Sequence, residues 1–241
     1  MRRFLIPLLL SVPLRAAVAV PATAPSLLPT GKELGTPMQI IVMMTLLTLL
    51  PAIVMSITPF LRISIVLHFL RQALGTQSAP SNQVLVGLSL FLTLALVQPM
   101  ALQVYKEAWA PMEDGKLTPS EAWDAGSKPL KAYLGRFVRE KDVKLFLDIT
   151  HAPAPHNPSE LDLQILAPAY ILSEMRAGFQ IGAVIFLPFL LIDIVVASVT
   201  LSIGMVQLPP AMVSAPFKVL LFVLVDGWNL TVGSLMKGFY T

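Results

Sequence analysis

Four apolar blocks, at roughly Met38 to Thr58, Val84 to Val104, Phe179 to Gln207 and Ala211 to Leu235, limit what this chain can fold into. Each approaches the ~20 residues that a helix needs to cross a bilayer. With a mean hydropathy of +0.74 and only 13% charged residues, the chain falls outside the range of soluble domains and reads as a membrane-class protein. No run of useful length alternates as a strand does, so the expected fold is all-α, built from about four hydrophobic segments.

Most of the charge is gathered between the second and third blocks, where Tyr105 to Arg176 holds 9 Lys/Arg and 11 Asp/Glu. Thr118-Pro119-Ser120-Glu121 has the pattern of a capping box with proline at the first helical position, and Gly126 is a plausible stop. Leu130, Tyr133, Leu134, Phe137 and Val138 then recur at helical spacing. The run HAPAPHNPS, His151 to Ser159, is too proline-rich for a helix and reads as a connector. The stretch is therefore expected to form a small polar helical domain.

Met1 to Ala24 has the layout of a secretory signal, with Arg2 and Arg3 ahead of a short apolar core and small residues at Ala17-Val18-Ala19 or Ala22-Thr23-Ala24. Without Arg2, Arg3 and Arg15 the 17 Lys+Arg fall to 14 and match the 14 Asp+Glu. The mature chain is then neutral and has no basic stripe for nucleic acid. The expected organisation is residues 1–24 as signal, 25–37 as a proline-rich leader, 38–104 as a first helical pair, 105–176 as the polar domain and 177–241 as a second hairpin. A cleaved signal leaves the N-terminus outside. Arg62 and Arg71, with no acid before the second block, mark a cytoplasmic connector. The polar domain is then periplasmic, the Leu208-Pro209-Pro210 turn cytoplasmic and the C-terminus outside.

Pro51, Pro99 and Pro188 lie in or near the ends of these blocks and free backbone groups that need protein partners. Charges inside the apolar half are costlier still, at about 2.5 to 3.5 kcal/mol at a bilayer centre on insertion scales, and are normally paired or turned to a cavity. From Ala177 to Thr241 the charged residues are Asp193, Lys218, Asp226 and Lys237, the last near enough to the terminus to snorkel. A straight hairpin about Pro209-Pro210 sets Asp193 and Asp226 level, and leaves Lys218 about 12 Å nearer the turn. Pairing Lys218 with Asp193 then requires bent helices or a neighbouring copy shifted along the axis. The expectation is a lysine–aspartate bridge between subunits that fixes register, with Asp226 as a further buried acid. Snorkelling of Lys218, and a proton relay, are the alternatives. Gly178 and Gly182 fit the small-residue helix-packing pattern.

The segments FLRISIVLHFLRQALGTQSAPSNQVLVGLSLFLT (Phe60 to Thr93), SEMRAGFQIG, IFLPFLLIDIVVAS and PFKVLLFVLVDGW resemble, in order, the signature segments of the FliP family of flagellar type III export proteins and its injectisome relatives. The resemblance covers essentially the whole chain. It implies a core component of an export gate in the bacterial inner membrane, several copies assembling with FliQ and FliR around a pore for unfolded substrates. It also implies a helical cone largely lifted out of the bilayer plane. In the family a methionine-rich loop before the Pro-Pro turn lines the pore. The matching positions here are Met205, Val206 and Gln207, followed by Pro209 and Pro210, and a single methionine dilutes that lining. Read without the family, Met205 is a gap filler in a helical core. The family's buried pair matches Asp193 and Lys218, and Arg62 and Arg71 fall in the first signature block. The signal and the extended N-terminus favour the flagellar branch over the injectisome one.

Other function classes fare worse. The chain has no cysteine, so thiol catalysis and Cys-type metal sites are excluded. His68, His151 and His156 are scattered, with no acid cluster to complete a metal site, and Gly31-Lys32 lacks the preceding glycine of a phosphate-binding loop. No enzyme activity and no cofactor is expected. A proton-coupled transporter is the remaining rival, because intramembrane acids mark ion pathways.

Overall fold

The computed structural model describes residues 35–76, 78–153, 161–205 and 207–240. The signal segment, nearly all of the leader, His156 and Val206 lie outside the described residues. The chain divides into two units, Met1–Leu47 and Thr48–Thr241. The first unit is described only at the start of α1 (Thr36–Ser56), an apolar helix whose residues Pro37 to Met55 are all exposed.

In the second unit the described residues are helical, with no strand. The segment read as a connector between the first two blocks is a helix, α2 (Phe60–Ala73), with an almost wholly buried face. Ile63, Val66, Leu67, Leu70 and Ala73 recur at the spacing of one helix face and are 0 to 1% exposed. His68 and Arg71 interrupt the run in sequence, but not on that face, while Arg62 lies at its buried edge. His68 instead fastens α2 to the next helix, its Nδ1 lying 2.7 Å from the Ser64 carbonyl oxygen and its Nε2 2.8 Å from the Asn82 side-chain oxygen.

Helix α3 (Asn82–Val104) runs without a break through a π-helical turn, Tyr105–Trp109, into the short α4 (Ala110–Glu113). The boundary expected at 104/105 therefore falls inside one helical run. The capping box at Thr118 is formed: the hydroxyl accepts from the Glu121 N–H, and the Glu121 carboxylate accepts from the Thr118 N–H at 2.8 Å. The Thr118 N–H and the Thr118 hydroxyl, both donating to Glu121 Oε2 at 2.8 Å, hold that carboxyl below its ordinary range. The helix so capped, α5 (Pro119–Phe137), does not stop at Gly126. It continues through Pro129, and Gly126 serves close packing, since a Cβ there would stand 3.1 Å from the Ala108 Cβ.

After α6 (Glu140–Thr150), which ends at His151 in the left-handed region, comes α7 (Leu163–Ser202), 40 residues and so about 60 Å long. That is twice the ~30 Å hydrocarbon thickness of a bilayer. The boundary expected at 176/177 falls inside it. Ile165, Leu166 and Tyr170 on the first half of α7 cluster with Leu134 of α5 and with Phe146 and Leu147 of α6, so the polar stretch closes over α7 within the same unit. Further along, Leu70 and Ala73 of α2 meet Phe189 of α7 and Phe222 of the next helix.

The fourth apolar block is two helices, α8 (Pro210–Leu224) and α9 (Gly227–Tyr240), bent by 66° at the break. Asp226 takes φ +52 there, a conformation that aspartate tolerates better than most residues. The following glycine has no alternative, because a Cβ on Gly227 would fall 2.1 Å from the Phe222 ring. The bend turns α9 back, so that Leu235 and Phe239 join Ile63, Val66 and Leu67 of α2 and Leu85 and Leu96 of α3.

Gly178 and Gly182 face α2 within the chain. A Cβ on Gly182 would come 2.6 Å from Phe69 Cγ, and the Phe69 ring is held edge-on against Phe179 with centroids 5.6 Å apart. Gly182→Ala is expected to destabilise the purified protein by about 1–3 kcal/mol through overpacking. Gly87→Ala in α3, where a Cβ would meet nothing within 4 Å, is expected to be neutral or mildly stabilising. Thermal unfolding of the two variants in detergent checks the contrast.

Candidate functional site: paired charges within a helical hairpin

Helix α7 ends well before the two prolines. Gly204 at φ +82 follows the last turn, the Met205 N–H donates to the Thr200 carbonyl and the Gly204 N–H to the Leu201 carbonyl. This is a glycine-dependent helix stop that satisfies otherwise free carbonyls. At the other side, Pro210 opens α8 at a position where its missing N–H costs nothing. The segment between the helices is therefore a loop and not a continuation of either.

That loop sets the register of the charges. Asp193 lies nine residues before Ser202 and Lys218 eight after Pro210, about 13 and 12 Å from their helix ends. They are level. The Lys218 ammonium donates to Asp193 Oδ2 at 2.6 Å, and the Ser214 hydroxyl, one turn earlier on α8, donates to Asp193 Oδ1 at 2.6 Å. The bridge expected between subunits is thus formed within one chain. Counting both helices to Pro209-Pro210 treated the loop as helix, and misplaced Asp193 by nearly two turns. Bonds of this charge-assisted kind contribute about 1.5–3 kcal/mol each.

The pair is unequally buried, with the Lys218 side chain 4% exposed and that of Asp193 29%. Lys218 is covered by the C-terminal end of α2: a Cβ on Gly75, which has φ +73, would be 3.6 Å from the Ala215 Cβ and 3.9 Å from Lys218 Nζ. The negative end of the α2 dipole thus approaches the buried ammonium and favours its charge. Asp226, expected as a further buried acid, is exposed at the α8–α9 break.

A second ion pair escaped the sequence reading. Arg62, assigned there to a cytoplasmic connector, is 8% exposed and donates from Nη2 to Oε1 of Glu174, which is 0% exposed. Its guanidinium also lies over the Phe239 ring, 4.1 Å from the centroid, and 5.7 Å from that of Phe137. Arg62 therefore joins α2, α7, α9 and α5 at one point. By composition Glu174 belongs to the polar stretch, although Ile165, Leu166, Ala169, Tyr170 and Ser173 before it form a buried stripe on the same helix. Tyr133 Oη is buried nearby, and burial together with the Glu174 carboxylate holds the phenol above its ordinary range, so it stays protonated. Arg71 sits half-buried in the last turn of α2, where a cation suits the helix dipole.

The positions matched to a pore loop lie at the tip of the α7–α8 hairpin. Met205 is 43% exposed and is not a core gap filler; Gln207 and Pro209 are exposed and Pro210 half-exposed. Among the described residues no group of three or more His, Asp or Glu is placed to hold a metal ion.

An all-helical protein results, in which three helices, or four if α8 and α9 count as one broken span, are long and apolar enough to cross a membrane, and whose Arg62–Glu174 and Lys218–Asp193 ion pairs close inside the chain. The FliP family model matches residues 43–235. The chain is 45% identical over 215 residues to the flagellar biosynthetic protein FliP of Pectobacterium carotovorum, covering 89% of this chain and 83% of that one. It is 43% identical over 208 residues to that of Bacillus subtilis, covering 86% and 94%. With that of Borreliella burgdorferi the identity is 40% over 212 residues, covering 87% and 84%. The chain belongs to the FliP family.

Proposed function

We propose that this protein is a core, non-enzymatic component of the flagellar type III export gate in the bacterial inner membrane, where several copies assemble with FliQ and FliR around a pore that passes unfolded flagellar subunits. The polar helices α5 and α6 face the periplasm in this reading. The observation that carries it is the hairpin α7–α8: Asp193 and Lys218 are paired within it, while Val184, Leu187, Leu191, Val195, Leu220 and Leu224 are left exposed along it. A chain with this much apolar surface requires lipid or neighbouring protein around it. Membership of the family makes neighbouring protein the better fit, and the hairpin tip from Met205 to Pro210 then faces the pore.

Pairing of Asp193 with Lys218 and Ser214 gives the carboxylate a fixed structural role, which suits a gate subunit better than an ion relay. The test is complementation. Supplied to a motile bacterium whose own FliP-family protein has been deleted, this chain is expected to restore swimming and secretion of flagellar subunits, and to co-purify with FliQ and FliR. Stable insertion with neither export nor co-purification would reject the reading.

A further inference from the structure

Next to the Arg62–Glu174 pair, four buried polar atoms from three helices have no hydrogen-bond partner within the chain: Arg62 Nε, Tyr133 Oη, Tyr170 Oη and Glu174 Oε2. The two phenols neighbour each other and the Glu174 carboxylate. Tyr170 and Glu174 are 0% exposed, so bulk solvent does not serve them. Nearly all buried polar groups are paired with protein or with ordered water, and four unpaired ones in one place are therefore a signal.

We propose that this place is an internal hydration site, holding one or two ordered water molecules between α2, α5 and α7. The chemistry selects water. Arg62 Nε–H and the two phenol O–H groups donate, Glu174 Oε2 accepts, and a buried water bridges such sets through two to four bonds. A cation is disfavoured because the guanidinium already neutralises Glu174, and an anion is disfavoured by the carboxylate itself. Water here completes the joint at which the polar helices, through Tyr133, are fixed to α2 and α7. Through Phe239 over Arg62 the same joint reaches α9.

The sign of a hydroxyl deletion tests this. In the purified full chain, Tyr170→Phe and Tyr133→Phe are each expected to lower the thermal midpoint by about 2–4 °C. The double variant is expected to lower it by less than the sum, since both hydroxyls bind the same water. A raised or unchanged midpoint would overturn the proposal, because removing an unpaired buried hydroxyl relieves a penalty. A high-resolution map is expected to show a solvent peak within hydrogen-bond reach of Glu174 Oε2 and at least one phenol oxygen. A direct phenol–carboxylate contact with no such peak would also overturn it.

Discussion

Arg62→Met is expected to leave Glu174 as an unpaired carboxylate with no exposed surface, and to be the most damaging single replacement in the second unit. Stranding one member of a buried pair costs about 3–5 kcal/mol. The total stability of a folded chain is only about 5–15 kcal/mol. The variant also loses the cation over the Phe239 ring, so α9 loses an anchor at the same time. Steady-state level in the membrane fraction, compared by immunoblot, is expected to fall severalfold. The double replacement Arg62→Met/Glu174→Leu removes both charges and is expected to recover much of that loss, because an apolar pair of similar volume is often no less stable than a buried ion pair. Equal levels of Arg62→Met and the parent protein would contradict the burial of Glu174.

The Asp193–Lys218 pair predicts an asymmetry. Asp193→Ala strands Lys218, whose side chain is 4% exposed, and is expected to cost about 3–5 kcal/mol. Lys218→Met leaves Asp193 with 29% of its side chain exposed and with the Ser214 hydroxyl still bound, so its charge keeps some solvation. After allowing for solvent screening, that loss is expected to be about 1–2 kcal/mol. Joining the two replacements is expected to bring stability back above that of Asp193→Ala alone. Denaturation of the detergent-solubilised variants gives the order directly, and an inverted order would show that the aspartate is the more deeply buried partner.

Which features were readable from sequence follows from the range of the interactions involved. The capping box at Thr118 and the apolar character of α1, α3 and α7 depend on neighbours a few residues apart, and periodicity and composition suffice for them. The identity of Asp193 and Lys218 as a pair also emerged, because charges are costly in an apolar run and few partners exist. The register of that pair did not, because it depends on where α7 stops. The stop is set by Gly204 and not by the more conspicuous prolines that follow.

Arg62 and Glu174 were misread for a related reason. They are 112 residues apart; the charge of Arg62 reads as the mark of a connector, and Glu174, beside Ser173 and Arg176, reads as part of the polar stretch. The break at Asp226 is set by the Phe222 ring against Gly227, a contact that acts within one turn yet leaves no mark on hydropathy.

That Asp193 and Lys218 meet within one chain, level across the α7–α8 hairpin, is the claim on which the geometry of the hairpin tip depends. Because the natural sequence has no cysteine, Asp193→Cys/Lys218→Cys can be treated in membranes with a short thiol-reactive crosslinker and separated on a denaturing gel. The expected result is a band of single-chain mass in which mass spectrometry finds the two positions joined within one molecule. A ladder of dimers and higher species, with no internal crosslink, would contradict it.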